Sequence, residues 1–151
     1  MHTELAIEPD RVRRNTPREI NRRIDAATVR SIRYYATQPA ETIDRRINEL
    51  NREWDLDRVL QTHGALLALG GLLLGATLGK RWLLLSGAVL GALLQHGTAG
   101  WCPPMPFLRR AGVRTRTEID REKLALKYLR GDFREPEPPS PVRRRLGALV
   151  E

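Results

Sequence analysis

VLQTHGALLALGGLLLGATLGKRWLLLSGAVLGALLQHGTAGW, residues Val59 to Trp101, carries only Lys80 and Arg81 as charged side chains. These two split it into uncharged runs, 59–79 and 82–101, each about 20 residues long, the length a helix needs to cross a hydrocarbon core of roughly 30 Å. A buried pair of helices in a water-soluble domain usually keeps a polar face, and "ALLALGGLLLGATLG" shows none. The sequence therefore predicts an all-α, integral membrane two-helix hairpin with flanking amphipathic helices on the cytoplasmic side.

The rest of the chain is different material. The 151 residues carry a net charge of +8, and the charge sits almost entirely outside the apolar centre. A hairpin returns both flanks to one side, so the distribution of basic residues sets its orientation. Arg45, Arg46, Arg52, Arg58, Arg109, Arg110, Arg114 and Arg116 lie on the terminal side, against Lys80 and Arg81 at the tip. Both termini are thus expected in the cytoplasm, with the hairpin in a bacterial inner membrane as a multi-pass anchor. Trp82 near the tip, with Trp54 and Trp101 at the other end, fits an aromatic anchor at each interface. The polar first fifty or so residues lead us to expect no cleavable secretory signal.

Small residues follow a pattern inside the hairpin. Gly64, Ala68, Gly71, Gly75 and Gly79 recur at spacings of four, three, four and four, which places them on one side of the first helix. The second helix has Gly87 and Gly91, again four apart. Apolar contact alone drives little association in lipid, so small residues matter by letting backbones approach. The stripe is expected to pack against Gly87 and Gly91 or against a second copy, giving a homo-oligomer, most simply a dimer.

The flanks divide into further segments. Residues 1–14 read as a flexible N-terminus and residues 15–54 as cytoplasmic amphipathic helices. The first of these helices has Thr16 as N-cap, Pro17 at its first position and Glu19 three residues after the cap. Its apolar side is Ile20, Ile24, Ala27 and Tyr35, among Arg18, Arg22, Arg23, Arg30 and Arg33, a composition suited to anionic lipid headgroups. Pro39 breaks the chain before a second helix with Ile43, Ile47, Leu50 and Trp54 on a narrow seam that asks for a helical partner, either within the chain or in a docking protein. That helix has the pattern to run on into the hairpin, residues 55–102. In the connector and helix of residues 103–131, Thr115 and Glu118 form a capping box and Gly131 a stop, with Ile119, Leu126 and Leu129 apolar. Residues 132–151, "EPEPPSP" followed by Arg143, Arg144 and Arg145, read as a disordered tail able to adhere to anionic lipid.

Candidates for chemistry are few. A single cysteine, Cys102, excludes an internal disulfide framework and any multi-thiolate metal site. It sits at a predicted helix C-terminus, where the macrodipole disfavours a thiolate, and Pro103, Pro104 and Pro106 stop the helix there. His63 and His96 lie at similar depth, about 25 Å from the tip, as the one pair worth weighing for a metal, but their angular positions turn them apart. No cofactor is expected. Up to Asp55 eleven arginines meet ten carboxylates, so no nucleic-acid partner is expected either. No phosphate loop, nucleophile elbow or metal-ligand run occurs, and no enzymatic activity is expected.

Gly100, Trp101, Cys102 and Pro103, followed by Gly112, Val113 and Thr115, resemble the YgaP-like transmembrane domain family, small inner-membrane hairpins sometimes fused to a rhodanese domain. The resemblance spans roughly residues 56–115. It implies the hairpin fold and, as an alternative to a structural or docking role, an accessory sulfur-transfer or redox protein using Cys102. Members often carry a second cysteine just after that last threonine, where this chain has Arg116. No rhodanese domain is present, and Leu108 stands where an arginine would close a rhodanese-type anion loop.

Overall fold

The computed structural model describes residues 10–133, and among them all regular structure is helical. In order these are α1 (Arg11–Arg14), α2 (Arg18–Tyr35), α3 (Ala40–Arg52), α4 (Leu56–Thr77), a 3-10 turn at Lys80–Trp82, α5 (Leu83–Ala99), α6 (Met105–Arg110) and α7 (Arg116–Arg130). Two helical stretches, Ala40–Thr77 and Lys80–Ala99, are long and apolar enough to span a membrane. The first is interrupted at residues 53–55, so its apolar part is α4 alone.

Helices α4 and α5 pack as an antiparallel pair. The turn between them needs Gly79, whose φ of 132° lies where side chains are strained. The predicted stripe forms the contact: Cβ atoms added at Gly64, Gly71 and Gly75 would lie 2.8 Å from Leu93 Cδ1, 2.5 Å from Ser86 Oγ and 2.5 Å from Leu83 Cδ2. Ser86 Oγ donates to the Ala68 carbonyl at 2.8 Å, filling the gap the small residues leave. The partner expected on α5 is corrected by this register. Ser86 and Leu93, seven residues apart, face α4, and Gly87 and Gly91 turn outward with nothing within 4 Å of an added Cβ. The hydroxyl decides the rotation, because an outward Ser86 would leave Ala68 and form no interhelical bond.

Outside this seam both helices are clad in leucine. Leu66, Leu67, Leu69, Leu72 and Leu73 on α4, and Leu84, Leu90 and Leu94 on α5, are exposed. Only 22% and 6% of the two apolar windows are buried, whereas a helix in the core of a water-soluble domain is mostly covered.

The remaining helices build two small cores. Ile43, Ile47 and Leu50 of α3 meet Ile119 and Leu126 of α7, with Tyr35 of α2 packed against them. The narrow seam of α3 thus finds its helical partner within the chain. Helix α7 begins with the expected Thr115–Glu118 capping box and ends at Gly131, φ 94°. The second core, Val12, Leu56, Leu60, Cys102 and Met105, with Leu93, Leu108 and Val113 beside it, joins α1 and α6 to the open end of the α4–α5 pair.

Four local expectations change. Arg11–Arg14, read as part of a flexible N-terminus, form α1, capped by Asp10: its Oδ1 accepts from the amides of Val12 and Arg13, and Val12 is buried. Thr16 does not cap α2; its hydroxyl donates to the Val12 carbonyl at 2.7 Å, and Pro17 holds the cap position. Helix α3 does not run into α4, because Asp55 caps a new helix by accepting from the Arg58 amide at 2.8 Å. Trp54 falls in that break, off the α3 seam and 43% exposed. Residues 1–9 and the tail with Arg143, Arg144 and Arg145 lie outside the described residues.

The stripe and the outward glycines make opposite demands. Gly71→Ala should destabilise the pair by about 1–3 kcal/mol, since the added methyl meets both Ser86 and the Trp82 carbonyl. Gly91→Ala should leave it within about 0.5 kcal/mol or raise it. Thermal denaturation of both variants in detergent, followed by circular dichroism, measures the difference.

Candidate functional site

Three cavities and one buried ionic cluster hold all the residues singled out in the sequence for possible chemistry. A cavity of about 460 Å³, almost wholly apolar, lies along the α4–α5 pair beneath Pro103, Pro104 and Leu108, with His63 and Cys102 in its wall. Cys102 is 1% exposed, and burial pushes its thiol up from the ordinary value. The cause is desolvation in the second core, partly offset by the hydrogen bond with the Met105 backbone. Arg109, seven residues on, turns away from the thiol and onto Glu118.

The motif around the cysteine has a structural reading. Gly100 ends α5 at φ 70°, and a Cβ there would lie 2.5 Å from Arg11 Cβ. Helix α1 is therefore seated on that glycine. Arg11 Nη1 donates to the Gly97 and Thr98 carbonyls and Asn15 Nδ2 to those of Ala99 and Gly100, so α1 satisfies the free carbonyls of the α5 C-terminus.

The two histidines are not brought together. His63 Nδ1 donates to the Val59 carbonyl at 2.8 Å, and its ring stands edge-on to Trp54, which in turn carries the Arg58 guanidinium 4.6 Å above its ring. His96 lines a different cavity of about 310 Å³ with Asp10, Arg11, Asp57 and Gln61, and its Nε2 donates to Asp57 Oδ1 at 2.9 Å. Among the described residues no group of three or more His, Cys, Asp or Glu is arranged around a common point. Trp101 is 37% exposed and Trp82 half-buried, at opposite ends of α5.

The most ordered polar chemistry lies where sequence reasoning placed only topology and capping. Arg109 is fully buried and forks onto Glu118: Nη1 donates to Oε2 at 2.7 Å and Nη2 to Oε1 at 2.8 Å. The same guanidinium reaches the Val113 carbonyl and Asn21 Oδ1. Glu118 also accepts from Arg13 Nη1 and from the Thr115 amide. One turn along α7, Glu122 is fully buried and accepts from Ser31 Oγ, from Arg46 at 3.0 and 3.1 Å, and from Arg114. Arg114 in turn forks onto Glu53 at the end of α3. A cavity of about 330 Å³ opens above this floor, between α2 and α3.

Burial works against both carboxylates, but their hydrogen bonds outweigh it. Arg109, the Thr115 amide and Arg13 hold Glu118 below the usual carboxylate range; Ser31, Arg114 and Arg46 do the same for Glu122. Carboxylates this saturated are poor proton acceptors at neutral pH, so the cluster fastens helices and has no base to offer a substrate. A signal for Glu122 was present: Ile119, Glu122 and Leu126 follow spacings of three and four, which puts an acid in the middle of an apolar seam.

Compared with protein-family models, with curated proteins and with solved structures, the chain matches none.

Two measurements address these groups. The folded-state values of Glu118 and Glu122 lie below their unfolded value of 4.5, so the stability they supply is complete above that pH and is lost as pH falls through the folded values. Glu122→Gln should cost about 1–3 kcal/mol at pH 7, because Arg46 and Arg114 lose their shared buried carboxylate and keep only Glu49 and Glu53, and should flatten the acid limb of the stability curve. Denaturant titration across pH 3–7 reads both. Cys102 should react with maleimide far more slowly than a free thiol until denaturant opens the second core, as mass spectrometry of timed samples will show.

Proposed function

We propose that this chain is a two-span protein of the bacterial inner membrane, with both termini cytoplasmic, whose non-enzymatic role is to hold a small helical bundle at the membrane surface as a structural or docking module. The leucine cladding of α4 and α5 carries this reading: an apolar coat on two helices of membrane length is stable in lipid and costly in water. The basic flanks, with the tryptophans near the helix ends, support the orientation. The resemblance of Gly100–Pro103 to the YgaP-like hairpins points to the same architecture.

Self-association belongs to the same proposal, with its surface moved. The stripe on α4 is spent inside the pair, and of the glycines left open, Gly87 and Gly91 of α5 lie one turn apart among exposed Leu84, Leu90 and Leu94, with Gly70 and Gly97 standing singly. A second copy meeting this face would gain the close backbone approach that drives helix association in lipid. The sulfur-transfer alternative rests on Cys102, and its burial favours the docking role.

A carbonate wash of membranes from expressing cells should leave the chain in the pellet; release into the soluble fraction would sink the two-span reading. Gly87→Leu with Gly91→Leu should lower the dimer fraction in mild detergent at least several-fold, measured by sedimentation, without lowering the melting temperature of the monomer.

A further inference from the structure

Helix α2 shows the solvent a side that its packing does not use. Ile24, central to its apolar side, is 4% exposed, so the helix has no apolar face free to enter a bilayer. The opposite side is cationic. Arg18, Arg22, Arg23, Arg30 and Arg33, with Arg14 just before them, are exposed, and none makes an ion pair among the described residues. At 100° per residue from Arg18, Arg22, Arg33, Arg30 and Arg23 fall at about 40°, 60°, 120° and 140°, with Ile24 at about 240°. Glu19 is the single acid on that arc, since Asp25 lies outside it and is bound by Arg13.

The position of this face names its partner. Helix α2 starts where α1 is bonded to the last carbonyls of α5, and one turn on, the Arg23 guanidinium donates to the carbonyl of Arg110, the last residue of α6. Arg30 and Tyr34, seven and eleven residues beyond Arg23, continue the same side of the helix, with Tyr34 exposed. That side leaves the end of the α4–α5 pair at the level where headgroups lie. We propose that the arginine face of α2 binds the anionic phospholipid headgroups of the bilayer that α4 and α5 span, laying the α2 side of the bundle on the membrane surface. The inference rests on the two-span reading. The attraction is electrostatic, each arginine near an anionic surface being worth on the order of five-fold in the surface equilibrium, and salt weakens it. A tethered face meets these anions at high effective concentration, an advantage no soluble polyanion shares.

The test uses the full chain with Cys102→Ala and Ala26→Cys, position 26 being exposed on the same arc, labelled with a fluorophore. It is placed in nanodiscs that carry headgroup-nitroxide quencher lipids in phosphatidylcholine alone or with phosphatidylglycerol. Strong quenching is expected with phosphatidylglycerol. It should fall at least about five-fold in phosphatidylcholine, in high salt, or on replacing Arg22, Arg23, Arg30 and Arg33 by glutamine. Equal quenching in the two lipids, or none in phosphatidylglycerol by a chain that has entered the discs, overturns the proposal and leaves the two-span reading standing. A chain that stays outside the discs overturns both. Salt-sensitive capture of a short single-stranded RNA by chain in phosphatidylcholine discs, uncompeted by phosphatidylglycerol vesicles, reassigns the face to nucleic acid.

Discussion

The Arg109 guanidinium has five N–H groups and no access to water, and it makes four hydrogen bonds, two to Glu118 and one each to the Val113 carbonyl and Asn21. Through them α6 is tied to the first turn of α7 and to α2, and through Glu118 to α1. The bundle meets the apolar pair through the small second core of Val12, Leu56, Leu60, Cys102 and Met105, while the arrangement of α1, α2, α6 and α7 around one another comes from bonds with direction. A buried ion pair is a poor source of net stability, because desolvating both charges cancels most of their attraction. It is an effective source of uniqueness, since any other arrangement of α1, α2 and α7 around Arg109 strands a buried charge. Glu122 repeats the device one turn further along α7, binding α2 through Ser31 and α3 through Arg46.

The apolar pair solves a different problem by different means. In the bilayer proposed for them, lipid would give no hydrophobic reward for bringing α4 and α5 together, so contact has to come from close packing. Gly64, Gly71 and Gly75 remove the side chains that would hold the backbones apart, and Ser86 spends its hydroxyl on the Ala68 carbonyl across the seam. Gly100 belongs to the same logic at the open end, where its missing Cβ lets α1 sit on the α5 carbonyls. In this chain the Gly100–Pro103 segment thus owes its place in the fold to its glycine as much as to its cysteine.

The parts legible in the sequence are those set by periodicity and local chemistry. The two apolar runs, the α4 stripe, the Pro39 break, the α3 seam and the capping box of α7 are each written in spacings of three and four or in a cap residue. The rest depends on which face meets which. Gly87 and Gly91 look like partners for the stripe until Ser86, one residue away and so turned by about 100°, claims the seam. Asp55 and Asp10 each start a helix at places where composition suggests continuity or flexibility. Arg109 and Arg114 count as topology signals in a linear reading, and nothing local distinguishes them from Arg110 and Arg116, which stay outside the buried cluster. Only the acid in the α7 seam, Glu122, hinted that cations had to be folded inward to meet it.

That division of the arginines explains how one chain carries so many. Arg13, Arg46, Arg109 and Arg114 are consumed by Glu118, Glu122 and Glu53, inside the bundle or at its edge. Because those acids are spent on buried cations, they cannot neutralise the arginines left outside. The acids that sit among the first eleven arginines balance them on paper, yet folding pairs charges by position and leaves the outer arc of α2 with Glu19 alone. A near-neutral segment therefore folds into a strongly cationic face. The same buried lattice that ties α1, α2, α3, α6 and α7 to one another is what concentrates uncompensated charge on the side of α2 that leaves the open end of the α4–α5 pair.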